Sequence, residues 1–244
     1  MVRRHDPEKD RLKKNKLLLW IAIPGALLVF AVMAFAIFEP IQVLPRIRLG
    51  PGFSLTDQSS LPFTSEDVRG DVVVYSFGYA GCGDECAGME KTTREVRDRL
   101  DEIDMEDVDI RFVTMTFDPA NDTPEVIAGV AQRAGADGEV WRYATGDPQH
   151  MENVVRSGFR AWYSSEDDGS FSFDPMLVLV DGWGVVRGEY KYQTISSDAD
   201  KIVRRLQILG EEIRNSKGAA SFAYEAAHLF LCYPRVPEHA PSCS

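Results

Sequence analysis

Asp71-Val72-Val73-Val74-Tyr75-Ser76-Phe77-Gly78-Tyr79-Ala80-Gly81-Cys82-Gly83-Asp84-Glu85-Cys86 is the stretch that decides the fold. Its first half is a nearly unbroken apolar run of β-branched and aromatic residues, the pattern of a buried strand. Its second half breaks on glycines and then opens an amphipathic helix, with Cys82 and Cys86 four residues apart. Two thiols therefore stand at a strand-to-helix turn. The first backbone N–H groups of a helix lack internal partners and carry the positive end of its dipole. A thiol placed there ionises more readily, and the thiolate is the form that binds soft metals and exchanges disulfides. At this spacing both thiols face the same way.

Outward from this turn, strands and helices alternate. Phe53 to Thr56 reads as a short strand, Asp71 to Phe77 as a buried one, and Cys86 to Ile103 as a helix with Met89, Val96, Leu100 and Ile103 near one stripe. Asp109 to Phe117 reads as the next strand. Asp122-Thr123-Pro124-Glu125 is a helix start, with a capping residue, a proline in the first turn and an acid beside it. A helix near Pro148 to Ser157 comes next, then a buried strand from Met176 to Val180. Gly182-Trp183-Gly184 turns the chain into Val185 to Tyr190 as a hairpin. Ile202, Leu206, Leu209 and Ile213 mark one face of a helix over Asp198 to Arg214. This order predicts an α/β domain with a central sheet covered by helices on both faces. With the cysteine pair at the end of an early strand, the expected fold is thioredoxin-like.

The beginning of the chain is of another kind. Residues 1–16 hold seven Lys and Arg against three Asp and Glu, and residues 17–38 contain no charge at all. Twenty-two residues span about 33 Å as a helix, enough to cross a bilayer, and the basic flank places the N-terminus in the cytoplasm. An uncleaved single-pass anchor is expected, the run being too long for the core of a signal peptide. Residues 39–51, with three prolines, read as a linker. Beyond the basic segment, 20 Lys and Arg face 35 Asp and Glu, a formal −15. That balance argues against nucleic acid and against anionic lipid faces as partners. The expected organisation is a cytoplasmic segment (1–16), an anchor (17–38), a linker (39–51), a thioredoxin-like domain (52–214) in the periplasm or another extracytoplasmic space, and a C-terminal extension (215–244).

The stretch from Gly52 to about Leu209 resembles the Sco/SenC family, membrane-anchored thioredoxin-like copper proteins that help assemble cytochrome oxidase. Gly52, Leu55 and Asp57, then Gly70 to Tyr79, Cys82-x-x-x-Cys86 and Asp118-Pro119-x-x-Asp122-Thr123-Pro124 carry the likeness. It implies Cys82 and Cys86 as copper ligands or as a redox couple, with an oxidase copper subunit or a respiratory membrane complex as partner. The family completes its copper site with a histidine from the loop before the strand that here is Met176 to Val180. This chain reads Phe171-Ser172-Phe173-Asp174-Pro175 there, without a histidine. Where the family usually has proline after each cysteine, this chain has Gly83 and Ala87.

Soft thiolates suit Cu(I), and two sulfurs make an incomplete site. The candidates for a third ligand are Asp174, a hard oxygen donor, and His228, four residues before Cys232. His239 and Cys243 repeat that spacing in the tail. His150 reads as an exposed polar residue and Met89 as core. Asp174-Pro175 stands where thioredoxin-like oxidoreductases place a cis-proline facing the redox cysteines. Pro175 is therefore expected to carry a cis bond and to lie against Cys82 and Cys86. Asp118 and Asp122 either order the cysteine loop or serve as a plain turn and helix cap. Four cysteines, all beyond the anchor, permit a Cys82–Cys86 disulfide and a Cys232–Cys243 one.

Three functions fit these residues. The leading one is a copper chaperone or thiol reductant in assembly or maintenance of an oxidase copper centre. A thiol–disulfide oxidoreductase without metal is the second, in which Cys82 attacks and Cys86 resolves. An accessory structural subunit of a membrane respiratory complex is the third.

Overall fold

In a computed structural model the described residues are 42–191 and 199–216, together with 20, 22–27, 29, 30, 33, 221, 222, 224, 225, 227 and 228. The chain divides into two units, Met1–Gln42 and Val43–Ser244. In the first, the described residues between 20 and 33 are helical and exposed. More than half of the 17–38 run lies outside the described residues. Among the described residues, no helix is long and apolar enough to cross a membrane.

The second unit is built on an eight-stranded sheet. Its strands are β1 (Arg48–Leu49), β2 (Ser54–Asp57), β3 (Pro62–Thr64), β4 (Val72–Gly78), β5 (Ile110–Thr116), β6 (Trp141–Thr145), β9 (Met176–Val180) and β10 (Val185–Lys191), in the order β1-β10-β9-β4-β5-β6-β2-β3. β7 (Tyr163–Ser165) and β8 (Phe171–Phe173) form a separate hairpin. The helices are α1 (Gly83–Arg97), α2 (Pro124–Ala134), α3 (Pro148–Glu152, continued by a wider turn over Asn153–Gly158) and α4 (Ala199–Arg214).

β4 sits at the centre because both of its faces are apolar. It pairs in parallel with β5 and antiparallel with β9. Strand periodicity sends Val73, Tyr75 and Phe77 to one face and Val72 and Val74 to the other. The first three join the core beneath α3 and the β2–β3 hairpin, and the others pack with Val96, Ile127 and Leu206 of α1, α2 and α4. Helical elements thus cover both faces, as the alternation predicted.

The expected strands over 109–117, 176–180 and 185–190 form within a residue or two. β6 and the β7–β8 hairpin lie outside the expected elements. β6 is five residues long and carries Arg142, so its period is hard to read alone; it is a strand because β5 offers it a parallel edge. The linker expected over 39–51 is partly domain: Leu44 is 1% exposed in the core and β1 pairs with β10. In the C-terminal extension, Glu225 pairs with Arg46 at 3.1 Å and Ala227 is buried, so these described residues pack on the domain.

Candidate functional site

Register places the site. β4 runs from Val72 to Gly78, and β9 opposes it with Ser76 beside Leu177 and Val73 beside Val180. The C-terminal end of β4, the start of β9 and the cysteine turn therefore share one end of the sheet. Cys82 is the residue that caps α1 and Cys86 lies in its first turn. The two are joined as a disulfide with Cα atoms 5.6 Å apart. A turn from Tyr79 to Cys82, closed by the Cys82 N–H donating to the Tyr79 carbonyl at 3.2 Å, delivers the first sulfur.

Two glycines shape this turn. Gly83 has φ +61, a left-handed conformation, so the proline usual after the first cysteine in the resembling family cannot stand here. Gly78 lies against the second sulfur: a Cβ there would be 2.7 Å from Cys86 Sγ. A bonded sulfur has no freedom to swing away. Gly78→Ala is therefore expected to cost the oxidised form about 1–3 kcal/mol relative to the reduced one. That corresponds to a reduction potential about 20–60 mV less negative, read by titration in a glutathione buffer. An unchanged potential would show that the sulfur does not bear on this backbone.

Asp122 orders the cysteine loop. Its carboxylate caps nothing in α2, whose first residue comes after Thr123. Instead one oxygen accepts the Ala80 N–H at 3.0 Å and the Thr116 hydroxyl, tying the cysteine turn to the end of β5. Thr116 in turn accepts the Asp118 N–H at 3.0 Å, while the Asp118 carboxylate holds the Asn121 amide. Asp122 is 2% exposed. Burial raises its carboxyl above the ordinary value, against the pull of its two hydrogen bonds, and the nearby Asp118 raises it further. Below this cluster a cleft of about 20 Å³, room for roughly one water, is lined by Cys86, Met89, Glu90, Asp122 and Tyr143 among others. The Tyr143 hydroxyl donates to Glu90 at 2.9 Å.

Because the folded state prefers Asp122 protonated, its contribution to stability is complete below about pH 3.8 and is lost as pH rises through the raised value. Asp122→Asn, which keeps an oxygen for both donors, is expected to match or exceed wild type by up to about 1 kcal/mol at pH 7. The gap should close below about pH 4, where wild type is neutral as well. Urea midpoints at the two pH values check this. A variant weaker at pH 7 would mean that the charge itself is what the loop needs.

The remaining predicted residues divide sharply. Asp174 and Pro175 lie at the cysteine end, between β8 and β9. The expected cis bond is not there: no described residue has a cis peptide, so Asp174–Pro175 is trans. The short β8 strand brings the chain into β9 without the tight reversal that a cis bond serves, and the Asp174 N–H is taken by the Trp162 carbonyl at 3.1 Å. The Asp174 carboxylate is engaged by Lys191 at 3.0 Å. His228 stands at the opposite end of the sheet, with Nε2 3.0 Å from Glu212 in the network around Arg187 and Asp181. It is not brought to the cysteines. His150 accepts a long hydrogen bond from the Ser54 N–H, and Met89 is buried beside Cys86. Cys232, His239 and Cys243 lie outside the described residues.

An aromatic cluster that sequence reading missed supports the turn. Tyr79 packs against Phe117 and Phe171, and its hydroxyl accepts the Phe171 N–H at 3.4 Å, seating the β7–β8 hairpin beside the cysteines. Widely spaced aromatics leave no local pattern from which this could be read.

A family model described as SCO1/SenC matches residues 42–209. The chain belongs to the SCO1/SenC family. A protein of Stutzerimonas stutzeri named for copper binding is 28% identical over 191 residues, 76% of this chain and 90% of that one. An SCO2-like protein of Rickettsia prowazekii is 32% identical over 134 residues, 53% of this chain and 62% of its own. Among solved structures, a SCO1/SenC family lipoprotein from Bacillus anthracis superposes with a TM-score of 0.59 at 22% identity, covering 68% of this chain and 97% of that one. Yeast Sco1 with copper bound superposes at 0.54 and 20% identity, covering 72% and 98%. At these identities the structures establish the shared α/β, thioredoxin-like fold of this SCO1/SenC chain.

Among the described residues, copper fits only half of the donor set. Reduced, Cys82 and Cys86 offer two soft sulfurs on one face of a helix start. Of the two candidates for a third position, Asp174 is held by Lys191 and His228 is at the far end of the sheet.

Proposed function

We propose that this SCO1/SenC protein is a membrane-tethered dithiol reductant in the assembly or maintenance of the copper centre of a respiratory cytochrome oxidase. The carrying observation is the Cys82–Cys86 bond, formed at a helix start within a loop held by Asp122, while neither candidate third ligand is free beside it. That arrangement suits electron transfer through sulfur better than retention of a metal.

The substrate class is a protein disulfide, such as one between the cysteines of a copper subunit. The Cys82 thiolate attacks one partner sulfur; a Cys82–partner bond forms, the partner disulfide breaks, and the second partner sulfur leaves as a thiolate. The Cys86 thiolate then attacks the Cys82 sulfur and releases the first partner thiolate. Two electrons pass to the partner, and Cys82–Cys86 is left oxidised. The helix N-terminus favours Cys82 as the thiolate.

A second reading is favoured by the two cysteines standing at one helix start with Cα atoms 5.6 Å apart: the reduced pair carries Cu(I) as cargo for the same centre. Trapping with Cys86→Ser discriminates. A mixed disulfide on Cys82 with an oxidase copper subunit is expected. No adduct, together with one tightly held Cu(I) lost in Cys82→Ser, would replace the reductant by the copper carrier. Full oxidase copper content after deletion of the protein would sink both.

A further inference from the structure

The end of the sheet opposite the cysteines has a feature that the redox chemistry does not use. Between β9 and β10 the turn Asp181-Gly182-Trp183-Gly184 presents Trp183, 84% exposed. The turn is well braced. The Asp181 carboxylate accepts the Trp183 and Val185 N–H groups, both at 3.0 Å, and its other oxygen binds Arg187 at 2.9 Å. The Gly182 carbonyl accepts the Gly70 N–H at 3.1 Å, and a Cβ on Gly182 would strike that backbone at 2.5 Å. The backbone that carries Trp183 is thus fixed on both sides of the residue, with the indole outward. Leu49, 74% exposed, is its neighbour, since β1 pairs Leu49 with Val185 and the Gly50 N–H donates to the Gly184 carbonyl at 2.8 Å.

This is also where the chain joins the domain. Leu44 is the first buried residue among those described, and its carbonyl accepts from the same Arg187 that binds Asp181. It stands six positions after Phe38, the last of the uncharged run, at most about 21 Å of extended chain. An indole with an apolar body and a polar N–H is the side chain best suited to the headgroup layer of a bilayer.

We propose that Trp183 and Leu49 rest in the lipid headgroup layer, so that the domain stands on the membrane with Cys82 and Cys86 directed away from it. The proposal rests on the reading of residues 17–38 as a membrane anchor, and not on which chemistry the cysteines perform. It places the partner's reactive sulfurs at the height of the domain's far end above the bilayer.

The test uses the full chain carrying Trp20→Phe, reconstituted in phosphatidylcholine vesicles with brominated acyl chains. Trp141 is buried, Trp162 lies at the cysteine end, and Trp183 at the other. Bromine quenching of one of the three remaining tryptophans is expected, lost on Trp183→Phe and kept on Trp162→Phe. Quenching that survives Trp183→Phe, or that disappears with Trp162→Phe, overturns the proposal, the latter by putting the cysteine end at the lipid. Carbonate extraction of the same vesicles tests the anchor alone: release of the chain would remove the anchor and the proposal with it, whereas an anchored chain with unquenched Trp183 would overturn only the proposal.

Discussion

Replacing Cys82 with serine is expected to abolish disulfide exchange while leaving the domain folded. In the proposed mechanism the sulfur at the start of α1 is the one that meets the partner, and a hydroxyl in its place is neither ionised at neutral pH nor able to form the mixed disulfide. The Cys86 sulfur lies against Gly78 and lines the cleft, so it is not expected to take over the attack. The variant also loses the cross-link. A loop of this length contributes about 2 kcal/mol by the chain-entropy relation, so Cys82→Ser should fall below oxidised wild type by about that amount and match reduced wild type. Reduction of a partner disulfide monitored by mass spectrometry, beside urea unfolding of both redox forms, checks the two parts. A variant that still forms the mixed disulfide would transfer the attack to Cys86.

Arg187→Met is expected to cost about 3–5 kcal/mol, a large share of the total for a domain of this kind. Arg187 is 3% exposed and binds Asp181 at 2.9 Å and both oxygens of Glu212 at 2.6 and 2.7 Å, together with the Leu44 and Pro45 carbonyls. Removing it leaves two buried carboxylates without their shared guanidinium, with His228 3.0 Å from Glu212 as the remaining basic neighbour. The same guanidinium ties β10, the Trp183 turn, α4 and the point where the chain joins the domain. At a urea slope of about 2 kcal/mol/M the midpoint should drop by about 1.5–2.5 M. Glu212→Gln in the same background should recover part of the loss, because one of the stranded charges is gone. An unchanged midpoint in Arg187→Met would mean that water reaches the network and screens it.

Neither Arg187 nor its partners could be found from the sequence, although the Cys82–Cys86 turn could. Strand β4, the thiols at the start of α1 and the proline-led start of α2 are all local patterns. Each rests on interactions within a few residues: alternation along a strand, unpaired N–H groups at a helix end, a ring that presets φ. The family motif adds nothing to that physics, and the order of the elements was read from the same local patterns. β6 and the β7–β8 hairpin escaped because short strands depend on the neighbour they pair with. Asp174, a hard donor, and His228 were both candidates by residue type, and the cis bond at Pro175 looked natural by analogy of position. Distance across the sheet, set by register, decided His228, and the ion pair with Lys191 decided Asp174.

The α/β alternation, the redox-capable pair Cys82 and Cys86, the uncharged run at 17–38 and the acidic character of the residues beyond it are all readable from the order of amino acids. Three assignments are not: that Asp122 supports the cysteine turn, that Lys191 holds Asp174, and that His228 and Trp183 belong to the end of the sheet remote from the sulfurs. The difference has a physical cause. Helix and strand signals act over a few residues, whereas these contacts join positions brought together only when eight strands take one order and one register.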